Sequence, residues 1–157
     1  MRGHPKEKRP FSPKHQIHLI LKSSRARGAY SFLHPRNRKK IDQVIRSTAQ
    51  RCGVDVKDYV NVGNHLHLRV KTSHRSLMVR FLRALSGRIP RLVMNCKKGQ
   101  PLGFKFWDSR PYTKIVAQGL RAFKILHRYF EKNLRQVQAR VEGFDFDMDS
   151  RASLDSG

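Results

Sequence analysis

"VDVKDYVNVGNHLHLRVK", residues 54–71, is the stretch on which the fold turns. Both halves are rich in β-branched and aromatic side chains, and Gly63-Asn64 between them supplies a tight turn. Val56–Val62 and His65–Lys71 are therefore expected as the arms of an antiparallel hairpin. Along the second arm the side chains alternate, with Leu66, Leu68 and Val70 on one side and His65, His67 and Arg69 on the other. One face must be covered by an apolar layer; the other presents imidazoles and a guanidinium.

The flanks say what does the covering. Upstream, "KHQIHLILKSS" predicts a short strand over Ile17–Leu21, and "RNRKKIDQVIRSTAQRCG" a helix with Ile41, Val44, Ile45 and Thr48 on one face and Gly53 as its stop. Downstream, "HRSLMVRFLRALSGRIPRLV" predicts a second helix with a stripe of Leu77, Phe81, Leu82 and Leu85, broken at Pro90. "FKFWDSRPYTKIV" predicts a further strand or a pair of short ones, and a long helix runs from about residue 118 to 140. The order β-α-β-β-α-β-α implies an α+β, ferredoxin-like domain, an antiparallel sheet with helices on one face. Residues 14–140 form this domain. Residues 1–13, basic and carrying Pro5, Pro10 and Pro13, are expected as a flexible arm, and 141–157 as an acidic mobile tail.

Charge narrows the partner. The 157 residues hold 34 Lys and Arg against 11 Asp and Glu, a net charge of +23. Five of the acids follow residue 140, so the body is more basic still. Such a field attracts polyanions, and nucleic acid is the common one, bound with release of counterions and therefore weakened steeply by salt. No apolar run reaches transmembrane length and the N-terminus has no apolar leader-like core, so no membrane partner is expected. Cys52 and Cys96 make no disulfide framework, and a cytoplasmic location follows as the expectation.

Same-face neighbours two apart on a strand stand about 7 Å from each other, so His65 and His67 can converge on one ion. By itself a His-x-His pair is equally two solvated strand residues, and a catalytic metal needs a further ligand and a task. The last helix offers both. In "RAFKILHRYFEKNLRQVQAR" the apolar stripe Leu120, Phe123, Leu126, Phe130, Leu134 and Val137 is expected to face the core. Tyr129 and Asn133, four apart, stack along its margin and present a phenol with an amide oxygen.

"GNHLHL" followed some sixty residues later by "YFEKN" resembles the HUH single-tyrosine transposases, in particular the REP-associated tyrosine transposase branch. The similarity spans roughly residues 14–137, with "FWDSRPYTKIV" in the place of that family's aromatic and basic strand. The resemblance implies His65, His67 and Asn133 as metal ligands, Mg²⁺ or Mn²⁺ as the ion, and Tyr129 as a nucleophile that cleaves and rejoins single-stranded or hairpin DNA through a 5′-phosphotyrosine. A homodimer is among the assemblies it implies. The chemistry suits the residue types: a phenol of ordinary pKa near 10 is ionised only about one part in a thousand at neutral pH, and a cation on the phosphate offsets that weakness. Neutral imidazoles are needed to bind the ion, so activity is expected to fall as pH drops through about 6.5.

Arg69, Arg110, Lys114 and Lys132 are candidate phosphate contacts, and Trp107 with Phe106 either stacks on unpaired bases or packs in the core. Tyr112 is a rival phenol, Tyr30 and Tyr59 have no partner at helical spacing, His18 and His127 read as bystanders, and Asn64 as a shaper of the turn. The competing function is a non-catalytic basic DNA- or RNA-binding protein, which needs the charge but not the histidine pair. A zinc hydrolase would need a carboxylate or third histidine at convincing spacing.

Overall fold

The computed structural model describes residues 7–116, 124–125, 128–129, 131–139 and 142. Outside them lie the expected stripe residues Leu120, Phe123, Leu126 and Phe130, His127, residues 1–6 of the arm and all of the acidic tail but Glu142. The elements follow the expected order: β1 (Gln16–Lys22), α1 (Pro35–Cys52), β2 (Asp55–Asn61), β3 (His65–Lys71), α2 (Arg75–Val93) and β4 (Tyr112–Val116). Residues 128–129 and 131–139 are helical and are called α3 here. The sheet is antiparallel throughout, in the order β2-β3-β1-β4.

Local chemistry sets the boundaries. Pro35 opens α1, where its missing N–H costs nothing, and His34 caps the helix by accepting from Arg36 N at 3.2 Å. Gly53 closes α1 in the left-handed region, φ 66°, which releases the chain into β2. Between β2 and β3, Gly63 turns at φ 98°, and Asn61 Oδ1 accepts its N–H at 3.0 Å. Two outlying loops then clamp this turn: Phe32 N donates to Gly63 O at 2.7 Å and Ser23 N to Asn64 O at 2.9 Å. The end of β3 that carries His65 is thus held rigidly. A register shift between Val56 and Asp58 lets Val56 and Tyr59 both pack toward the core.

That core lies between one face of the sheet (Ile17, Leu19, Leu21, Leu66, Leu68, Val70) and the helices α1 (Ile41, Ile45) and α2 (Phe81, Leu85, Ile89), all essentially inaccessible. Each such side chain contributes about 1.5–3 kcal/mol of transfer free energy, so this layer dominates the stability of the domain.

The expected break at Pro90 does not occur, for α2 continues to Val93. Proline cannot donate to the carbonyl four residues back, and Trp107 Nε1–H donates to that carbonyl, Ser86 O, at 2.9 Å. With Ile89, Pro90 and Val93 buried, the last turn is held by packing. Trp107 accordingly packs on Phe106 and Phe32, with ring centroids at 5.1 and 5.9 Å. At the other terminus Phe11, inside the expected arm, packs against the core beneath the Arg75 guanidinium, 5.4 Å from its ring centroid.

α1 and α2 cover one face of the sheet as expected. The described part of α3 meets the opposite face, where Tyr129 reaches His67, and Val137 packs with Val60 and Val62. The line from α3 that turns inward is Tyr129, Asn133 and Val137, spaced by four. Leu134, expected to face the core, is instead 50% exposed, whereas Asn133 is 7% exposed. The apolar layer is already closed by α1 and α2, and the surface left for α3 is mixed, with imidazoles under Tyr129 and Val60 and Val62 against Val137. Among the described residues no helix is long and apolar enough to cross a membrane.

Candidate active site

Cross-strand register builds the polar face. His67 stands opposite Ile20 on β1, which stands opposite Tyr112 on β4; the next row is Arg69, His18 and Lys114. Ile17, Leu19 and Leu21 point into the core, so His18 and Ile20 must point out. Onto these rows α3 lowers a phenol. Tyr129 Oη lies 3.2 Å from His67 Nε2, with the rings edge to face at 4.9 Å. With the imidazole neutral, the direction of this hydrogen bond follows the tautomer: the hydroxyl donates where the proton sits on Nδ1 and accepts where it sits on Nε2.

Three imidazoles surround this contact. His65 lies edge-on to His67 at 4.7 Å and His18 is stacked on it at 5.7 Å, while His18 also meets Tyr129 at 6.0 Å. Asn64 Oδ1 accepts from His65 Nδ1 at 2.6 Å, which puts the proton on Nδ1 and leaves Nε2 with its lone pair. Asn64 therefore orients a ring as well as shaping a turn. His67 is 1% exposed, and burial, then the neighbouring His65 and His18, push its pKa down to about 3. His18 is lowered too, by burial and by Lys114.

Burial thus favours the neutral, lone-pair form of His67 below the ordinary imidazole range. Stability shows the shift. The unfolded chain takes up the proton near pH 6.5 while the folded imidazole resists to about 3, so stability is full above pH 6.5 and drains away between those values as pH falls. At pH 5 the His67 contribution is a loss of about 2 kcal/mol, or a fall in Tm of roughly 5 °C for a chain of this size. His18 adds in the same direction. Thermal melts at neutral pH and at pH 5 check this, and an unchanged Tm would show that these rings take up protons as freely in the fold as out of it.

The structure brings Tyr129, His65 and His67 together, and Asn133 follows one helical turn along, buried, with its Nδ2 lacking a partner. Arg69 shares the face but is ion-paired with Asp58 of the adjoining strand. Lys114 is exposed beside His18, and Lys132 is exposed on α3. Arg110 is exposed and near enough to Arg9 to lower that guanidinium's pKa, after burial. Trp107 lies apart from this cluster, in the packing around Phe32 and Phe106. His18 is the residue that sequence reasoning passed over. Its signal was the same in-out alternation, Ile17-His18-Leu19, that exposed the pair on β3.

Among the described residues no group of three His, Cys, Asp or Glu side chains forms a metal site. The donor set at hand is two imidazoles and the Asn133 amide. That amide is buried with its Nδ2 unpartnered, and His67 Nδ1 is likewise buried without a partner. By donor chemistry, imidazole nitrogens and an amide oxygen suit a cation that completes its shell with oxygens from water or phosphate.

No family model matches the chain, and no curated protein matches it. Solved structures do. A REP-associated tyrosine transposase bound to a REP hairpin is similar over 88% of this chain and 76% of its own, at 10% identity and a TM-score of 0.55. A protein from Deinococcus radiodurans R1, provisionally designated a transposase, is similar over 82% of this chain and 98% of its own, at 20% identity and a TM-score of 0.51. At such identities the likeness is one of fold. The chain has the fold of these transposases.

Proposed function

We propose that the protein is a transposase-like enzyme that cleaves and rejoins single-stranded DNA through Tyr129. The observation that carries this reading is the meeting of Tyr129 Oη with His67 Nε2 at 3.2 Å, across 62 positions of sequence. A purely structural tyrosine on α3 would not need two buried or half-buried histidines beneath it, one of them with a nitrogen left unpartnered. The net charge of +23 supplies the attraction for a polyanion.

His65 and His67, with Asn133, would hold Mg²⁺ or Mn²⁺, which when bound withdraws charge from the phosphoryl oxygens. The chain's own residues do the rest. Tyr129 Oη attacks the phosphorus, a Tyr129 O–P bond forms, and the P–O3′ bond breaks. The phenol proton passes to solvent, and the 3′ oxygen leaves as a hydroxyl that can attack in the reverse sense. His67 Nε2 cannot both hold a cation and accept from the phenol, so the observed contact is the resting arrangement. Tyr129 is 39% exposed, which leaves it room to turn toward a substrate. Asn64 keeps the His65 ring in its binding tautomer.

Incubation with end-labelled single-stranded DNA from the flanks of its own gene tests the reading. The expected product is protein covalently attached to the 5′ end of the cleaved strand, formed with Mn²⁺ or Mg²⁺ and absent in chelator. DNA binding with no adduct under any divalent ion would favour the competing reading, a basic nucleic-acid-binding protein.

A further inference from the structure

We propose that Tyr112 and Lys114 form a subsite for an unpaired nucleobase and its phosphate beside the Tyr129 centre; this rests on the DNA-processing reading above. Tyr112 is 53% exposed, more than Tyr30 at 45%, Tyr129 at 39% or Phe104 at 37%. It occupies the edge strand β4, and register places it in one cross-strand row with Ile20 and His67. Its ring therefore stands on the same face as the histidines, two strand spacings or about 10 Å away at the backbone, a reach that an unstacked strand crosses within a couple of nucleotides. Half-buried Ile20 lies between and gives an apolar floor.

Lys114, two residues on, shares that face and is exposed. An aromatic ring with a cation one side-chain step along the strand matches how single strands are held elsewhere: the base stacks on the ring and the ammonium meets the phosphate. β-Propensity alone would also favour tyrosine in a strand. It does not require the ring to stand in water on the one face that carries the candidate centre. The fold makes little use of Tyr112, so its removal is expected to leave the melting temperature nearly unchanged.

The test measures anisotropy of labelled single-stranded oligonucleotides in chelator, with wild type, Tyr112→Ala and Tyr112→Phe, and repeats it with a single abasic position moved along the strand. Tyr112→Ala is expected to bind roughly tenfold more weakly, the size of one lost stack, and Tyr112→Phe to bind like wild type. One abasic position should cost the wild type a similar factor and cost Tyr112→Ala nothing further. Equal affinity of Tyr112→Ala and wild type overturns the proposal, as does failure to find such a position or failure of the wild type to bind single strands. Because binding is read without metal or cleavage, it stands or falls separately from the adduct. With Mn²⁺ restored, Tyr112→Phe must still form the adduct; its loss would make Tyr112 the nucleophile and overturn both readings.

Discussion

Tyr129→Phe is expected to abolish the covalent protein–DNA adduct while leaving single-strand binding within about twofold. The substitution removes one oxygen, the atom that would bond to phosphorus, and keeps the ring that lies edge-on to His67 and His18. The hydrogen bond to His67, at a partly exposed site, is lost, a net effect of about 1 kcal/mol. The fold and the basic surface therefore survive. The chemical loss is total, because no shift in pKa or positioning replaces a missing nucleophile. Denaturing gels of labelled strand read the outcome directly. An adduct at undiminished yield in the variant would remove Tyr129 from the mechanism, and strand cleavage that leaves no protein attached would point to water as the attacking group.

His67→Leu is the second large effect, and it should separate stability from chemistry. The imidazole is buried with Nδ1 unpartnered and resists protonation in the fold, so it is a cost to the folded state. Leucine fills a similar volume without a polar atom or a titrating group. The variant should melt higher than wild type at pH 5, by the roughly 5 °C that His67 forfeits there, with a smaller difference at neutral pH. Metal-dependent adduct formation should drop by at least about a hundredfold, because several kcal/mol of charge stabilisation depends on that ligand. A variant that is both more acid-stable and fully active would refute the assignment of His67. If both properties fall, the ring is structural, and its burial has another explanation. Residues kept against the interest of stability are the usual mark of a working site.

Much of this was readable before any coordinates. Alternation in "HLHLRV" placed Leu66, Leu68 and Val70 in the core and the imidazoles outside it, because the period of a strand leaves no other choice. Gly53 and Gly63 marked the end of α1 and the turn of the hairpin, since each adopts a positive φ that side chains resist. Pro90 misled, because a local rule was overridden by burial and by an indole N–H from 21 residues away that claims the Ser86 carbonyl. Leu134 misled for a related reason. A helical stripe predicts which side is apolar, but which side faces inward depends on the surface the helix lands on. Here that surface is mixed, imidazoles beside Val60 and Val62, and the residues that meet it are Tyr129, Asn133 and Val137 rather than Leu134.

From the linear chain alone came the order of elements, the single apolar layer and the histidine and tyrosine motifs, because these depend on side-chain periodicity and on residues close in sequence. Which groups share a site depended instead on β1 pairing with both β3 and β4 and on α3 crossing the far face of the sheet. Those pairings join residues dozens of positions apart, and their register is set by the burial of whole faces rather than by any local preference. Only then does His18, a bystander in the linear chain, join the rings of His67 and Tyr129, and Tyr112 fall into one cross-strand row with Ile20 and His67.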